Sequence, residues 1–124
     1  MKLYDGGRAP NPRRVRIFFA EKGVPLPELV PVDIAKKEHR TEAFTRLNPA
    51  QRLPVLELDD GTALAETIAI CRYIEALHPQ PPLFGRDAKE QATIEMRNRR
   101  GERGLFATGA AVFRHSQPPI AEPE

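Results

Sequence analysis

Three prolines fall within the five residues His78–Pro82 (HPQPP), and neither a helix nor an inner strand can run through them. Each proline removes a backbone donor, and its ring clashes with the turn before it. The chain is therefore read as an N-terminal domain over residues 1–80, a linker over 81–86 and a helical segment over 87–124. About 80 residues is enough for one small domain with its own core.

The N-terminal part alternates strand and helix signals. Lys2–Asp5 is a short strand that Gly6-Gly7 breaks. Asn11-Pro12 opens a helix, with Asn as the N-cap and Pro in the first helical position. Val15, Phe18 and Phe19 recur at i, i+3 and i+4, and Gly23 closes the helix at C′. Glu28–Asp33 is a second strand, placed at a sheet edge because Pro31 cannot donate to a ladder. Thr41 caps a short helix carrying Phe44 and Leu47, and Asn48-Pro49 stops it. Leu53–Leu58 and Thr62–Ala65 flank the hairpin turn Asp60-Gly61. Glu66–Leu77 then has helical spacing, with Ile70, Ile74 and Leu77 on one stripe and Ile68 and Cys71 beside it.

The order β-α-β-α-β-β-α predicts an α/β fold, because a strand–helix–strand unit crosses right-handed and makes a parallel pair. A closing hairpin adds antiparallel strands. The expected result is a four-stranded mixed sheet flanked by helices. Beyond the linker, Asp87 and Glu90 resemble a capping box that opens a further helix. Gly101, Gly104 and Gly109 weaken its far half, and the closing SQPPIAEPE is disorder-like. That helix carries Ile94 and Phe106 and has no helical partner in the sequence, so exposed apolar surface and self-association are expected.

Charge and cysteine content narrow the function classes. Nineteen Lys and Arg against 17 Asp and Glu leave a net charge of +2, too small to attract nucleic acid in bulk. No apolar run approaches the roughly 20 residues that cross a bilayer. The opening MKLYDGGRAPNPRR has no apolar core of a secretory signal, and Cys71 is the one cysteine. A reducing, cytoplasmic setting is expected, with no membrane or nucleic-acid partner and no metal.

Several places can carry chemistry. The turn Gly6–Pro12 lies at the carboxyl end of a strand and the start of a helix, where backbone N–H groups favour an anion or a thiolate. Asn11 stands there, although N-capping alone explains its residue type. Arg13, Arg14 and Arg16 oppose the helix dipole by about 0.3–1 kcal/mol each unless acidic groups lie nearby. Leu53-Pro54 opens a strand, and a cis bond there exposes backbone to an extended peptide. Glu66-Thr67 stands at a strand-to-helix switch that can hold a carboxylate and an ammonium group, or simply cap the helix. His39 and Arg40 lie in a polar run, and Cys71 reads as core filling.

Taken together, MKLYD…APNPRRVRIFFAEKGV, EAFTRLNPAQRLPVLEL, DDGTALAETIAICRYIEALHP and the proline linker resemble the N-terminal, thioredoxin-like domain of cytosolic glutathione transferases. The asparagine-containing turn is similar to bacterial members close to the Nu class. Residues 86–124 resemble the start of the family's all-helical C-terminal domain, an incomplete all-α segment. The resemblance implies that glutathione is the co-substrate. It also implies that Pro54 is cis and that the Leu53 backbone pairs with the cysteinyl part. By the same resemblance, Glu66 and Thr67 hold the γ-glutamyl end, and His39, Gln51 and Arg52 lie near the glycine carboxylate. Ala9 stands at the serine or threonine position, and no hydroxyl or thiol occurs between Gly6 and Val15. Asn11 matches the asparagine that contacts the glutathione sulfur.

Two functional readings follow from the resemblance. In one, an enzyme directs glutathione thiolate at a small electrophile or a disulfide, as a homodimer when full-length. In the other, a non-catalytic module resembles the stringent-starvation proteins that bind RNA polymerase, a reading favoured by Ala9 and the arginine cluster.

Overall fold

The computed structural model describes residues 1–116. Of the disorder-like SQPPIAEPE, Ser116 ends a helix and the remainder lies outside the described residues. The chain divides into two compact units, Met1–Leu83 and Phe84–Glu124.

In the first unit the elements run β1 (Lys2–Asp5), α1 (Pro10–Glu21), β2 (Glu28–Pro31), a 3₁₀ turn (Glu38–Arg40), α2 (Glu42–Leu47), β3 (Val55–Glu57), β4 (Ala63–Ala65) and α3 (Thr67–Leu77). The sheet order is β2-β1-β3-β4, with β1 parallel to β2 and the other two pairs antiparallel. This is the mixed four-stranded sheet expected from the sequence. β2 pairs on one side only, as Pro31 requires. β3 starts two residues later than the Leu53–Leu58 reading, so Leu53-Pro54 precedes the ladder instead of joining it.

The register assigns two faces. Tyr4 opposes Val55, and these pack with Val32 and Phe44, so α2 covers that face. The ring of Tyr4 meets Phe44 edge-on at 6.1 Å, and its hydroxyl donates to the Glu57 carboxylate at 2.8 Å. That hydrogen bond, with burial second, raises the phenol pKa, so Tyr4 stays protonated. Leu3 opposes Leu56, and alternation sends both to the other face. Both are fully buried, as are Val15 of α1 and Ile70 of α3. Phe19 and Ile74 add to the helical layer that covers them, each such side chain contributing about 1.5–3 kcal/mol. Leu77 is half exposed at the end of α3 and leaves the stripe predicted for it.

The start of α1 corrects the sequence reading. The helix begins at Pro10, and Ala9 is the N-cap with no side-chain hydrogen bond. Asn11 is therefore inside the first turn and caps nothing. Pro10 takes the first helical position, where a missing N–H costs nothing. The far end follows the Gly23 expectation. Gly23, at φ 65°, donates to Ala20 at 2.9 Å, and Val24 donates to Phe19 at 3.0 Å, closing a Schellman motif. Thr41 caps α2 by accepting from the Phe44 N–H at 3.3 Å.

Lys22, the C-cap of α1, has no counterpart in the sequence reading. Its side chain is fully buried, ion-paired to Glu75 of α3 at 2.6 Å, and it donates to the Pro81 carbonyl. One ammonium group thus joins α1, α3 and the proline-rich segment.

In the second unit, α4 (Ala88–Arg100), a π-helical stretch (Gly101–Phe106) and α5 (Ala107–Ser116) follow one another directly. Asp87 caps α4 by accepting from the Glu90 N–H at 2.9 Å. Glu90 completes only part of the expected box: its carboxylate turns to Arg86, accepting from the backbone N–H at 2.9 Å and the guanidinium at 3.0 Å. Gly101 and Gly104 do not end the helix but lie where it widens to π geometry. Met96, Leu105, Phe106, Val112 and Phe113 are exposed, consistent with the unpartnered apolar surface expected of this helix.

Two outcomes are expected. Lys22→Met removes the buried ammonium that joins Glu75 and the Pro81 carbonyl and should lower unfolding free energy by about 3–5 kcal/mol, read from denaturant titration. A change under about 1 kcal/mol would show the pair to be dispensable. Burial pushes the Cys71 thiol up to about 11, so a disulfide reagent near neutral pH should find no reactive thiol until the protein is unfolded.

Candidate functional site

The sheet brings three of the predicted segments to one end. β1 and β4 run toward that end and β3 runs away from it, so the Gly6–Asn11 turn, Leu53-Pro54 and Glu66-Thr67 all stand there. Val55 pairs with Ala65, which sets Pro54 and Glu66 just beyond the last rung. The segment leaving the carboxyl end of β2 carries the 3₁₀ turn with His39.

The closest approach is at Gly6. A Cβ there would meet Ile34 Cδ1 at 3.0 Å, Leu53 Cδ1 at 3.1 Å and the Ala9 Cβ at 3.5 Å. A glycine lets the first turn lie directly against Leu53. The Leu53-Pro54 peptide is cis, as the resemblance implies. Among the described residues no ladder or turn hydrogen bond engages the Leu53 backbone, so its N–H and C=O are left unpaired. A second cis peptide, Gln80-Pro81, lies in the proline-rich segment and was not anticipated.

The first turn of α1 presents fewer donors than a helix start usually does. Pro10 and Pro12 have no N–H, the Ala9 N–H bonds Gly6 at 3.3 Å, and the Arg13 N–H bonds Ala9 at 3.2 Å. Asn11 alone offers a backbone N–H there, with its side-chain amide beside it, and among the described residues no hydrogen bond uses either. The anion-binding capacity of this terminus is concentrated on one residue.

The arginines divide. Arg16 ion-pairs with Asp5 at the end of β1 and donates to the Gly7 carbonyl at 2.8 Å, while Asp5 accepts from the Gly7 N–H at 3.2 Å. Arg16 is thus the clamp of the Gly6-Gly7 turn. The acidic partner that offsets its position in the helix is Asp5, eleven residues before it. An Asp closing a strand ahead of an Arg-rich helix is the sequence signal that could have found this pair. Arg14 reaches across to α3 and donates to Thr67 Oγ1 at 3.4 Å.

Glu66 is exposed and holds a positive φ of 71°, an unusual backbone for a residue with a side chain. It makes no side-chain cap, so the simple capping reading of Glu66 fails. Thr67 is buried at the first position of α3. Gln51 also holds a positive φ, 53°, and its amide donates to Thr45 Oγ1 at 2.9 Å. Arg52 is exposed. His39 keeps a buried Nδ1 with no partner. Burial, with the Arg40 charge second, pushes its pKa below the usual histidine range, so the ring is neutral at pH 7. Among the described residues no hydrogen bond joins His39 Nδ1 to Leu53 or Asn11. Among the described residues no group of three or more His, Cys, Asp or Glu is placed to hold a metal ion, and no helix is long and apolar enough to cross a membrane.

Comparison with known proteins gives these positions a context. A family model described as "Glutathione S-transferase, N-terminal domain" matches residues 9–77. Glutathione S-transferase 2 of Saccharomyces cerevisiae is 40% identical over 121 residues, which is 97% of this chain and 52% of that protein. This chain therefore spans about half the length of that relative. The crystal structure of a glutathione S-transferase domain-containing protein from Marinobacter aquaeolei superposes with a TM-score of 0.91 at 45% identity, covering 97% of this chain and 59% of that one. A glutathione transferase homologue from Sulfitobacter, solved with bound glutathione, superposes with a TM-score of 0.82 at 27% identity, over 96% of this chain and 59% of that one. With the mixed sheet, the cis Leu53-Pro54 peptide and these matches together, the chain belongs to the glutathione S-transferase family, whose N-terminal domain it carries.

Proposed function

We propose that this chain binds glutathione across the carboxyl end of its sheet and holds the sulfur as a thiolate for attack on an electrophilic carbon or a disulfide. The observation that carries this reading is the unpaired backbone of Leu53, a residue whose side chain packs against the Gly6–Ala9 turn, together with the free N–H of Asn11 at the second position of α1. An extended tripeptide can pair with Leu53 as an added strand. Glu66 then faces the γ-glutamyl ammonium, and Thr67 with the start of α3 faces its carboxylate. Gln51, Arg52 and neutral His39 are the groups assigned to the glycine end. Glutathione supplies the sulfur, because Ala9 has no hydroxyl and Cys71 is buried in the core.

Thiolate formation releases a proton to solvent. Attack on carbon forms the S–C bond as the leaving group departs with its electron pair. Attack on a disulfide forms a mixed disulfide as the other sulfur leaves as thiolate. Detoxification chemistry in the cytoplasm, by a homodimer, is the setting proposed for the full-length protein. The adaptor reading loses part of its support, since Arg16 of the arginine cluster is engaged within the fold.

Two experiments test the reading. Thr67→Ala should weaken glutathione binding by about 1–3 kcal/mol in calorimetry. Unchanged affinity would remove Thr67 from the site. Asn11→Ala should raise the pKa of the bound thiol toward the free value of about 8.5, read from thiolate absorbance against pH. Because Asn11 caps nothing and Ala is the better helix former, the thermal midpoint should not fall. An unmoved titration curve in the variant would eliminate Asn11 as the sulfur's partner.

A further inference from the structure

The stop signal Asn48-Pro49 conceals a second task for Asn48. The residue is buried at 6% exposure, and all four of its polar groups are engaged. Its N–H bonds Phe44 at 2.9 Å and its carbonyl accepts from the Gln51 N–H at 2.8 Å. Its side-chain Oδ1 accepts from the Ala50 N–H at 3.1 Å, and Nδ2 donates to the Arg52 carbonyl at 2.8 Å. Helix stopping needs none of the side-chain bonds. They hold the loop in a shape that places Gln51 at a positive φ, which a side chain disfavours, and they fix the carbonyl of the peptide that joins Arg52 to Leu53.

That peptide has one carbonyl and one N–H. Anchoring the Arg52 carbonyl to Asn48 in the interior turns the Leu53 N–H of the same planar unit the opposite way. We propose that Asn48 is a positioning residue: by holding the Arg52 carbonyl it presents the Leu53 backbone to the extended peptide ligand. The inference rests on the reading of Leu53 as the edge that pairs with glutathione. Asn48 touches no ligand and acts through Leu53.

Hydrogen exchange with and without reduced glutathione tests it on the whole chain. In the wild type, glutathione should slow exchange both in the segment containing Leu53 and in the segment containing Thr67. In Asn48→Ala the slowing should vanish at Leu53 and persist at Thr67, with affinity about five- to tenfold weaker, the loss of one hydrogen bond's worth. General destabilisation would affect both segments alike. Asn48→Asp is the second variant, in case Asn48→Ala unfolds. It keeps the acceptor for Ala50 and lacks the donor at neutral pH, so it should lose the Leu53 response there. It should regain that response at about pH 5, where a buried carboxyl is protonated and can donate. Normal protection at Leu53 in both folded variants at neutral pH would overturn the role of Asn48 and leave the glutathione reading standing. Absence of any protection in the wild type would overturn both.

Discussion

The pairing of β1 with β3 is the constraint on which the rest depends. Leu3 opposes Leu56 and Tyr4 opposes Val55, joining segments some fifty residues apart. A slip of β3 by one residue would turn Leu56 to the α2 face and move Val55 out of its cluster with Phe44, so burial on both faces fixes the register. The same register places the turn after β1 against the residues before β3. Gly6 meets Leu53 only because the strands end where they do. The candidate site is thus a consequence of core packing, assembled from loops that a rigid sheet holds in place.

Electrostatics then shape that end. Two prolines in the first turn of α1 remove donors that most helices offer an anion, and Asn11 is left as the one backbone contact. Arg16 would weaken the same helix terminus as a free cation in its first turns, but Asp5 binds it and both hold Gly7. At the opposite end of α1, buried Lys22 draws Glu75 and the Pro81 carbonyl together. Backbone strain gathers at the site as well. Glu66 and Gln51 hold positive φ values on either side of Leu53-Pro54, and Lys37 holds another in the segment after β2.

The mixed four-stranded sheet, the edge position of β2, the Thr41 and Gly23 caps and the burial of Cys71 were legible in the sequence because each follows from a local rule of pattern, proline or glycine. The start of α1 was misread because Asn11-Pro12 and Ala9-Pro10 compete, and residue preference for the N-cap favours asparagine while the fold uses Pro10. The Lys22–Glu75 and Arg16–Asp5 pairs and the bonds of Asn48 join groups whose proximity only tertiary structure creates. Site residues such as Leu53 and Thr67 carried little signal alone. The resemblance alone pointed to them, because the role proposed for Leu53 belongs to its backbone and leaves no mark on residue type.

The central claim is that one end of the sheet receives the tripeptide. The most direct test is to titrate the isotopically labelled chain with reduced glutathione and follow every backbone amide by NMR. Binding as described here shifts the amides of Ala9, Asn11, Leu53, Glu66 and Thr67 along one common binding curve, and leaves Lys2 and the Asp59–Thr62 hairpin at the opposite end of the sheet unmoved. Shifts centred on that hairpin, or no shifts at millimolar glutathione, would contradict it.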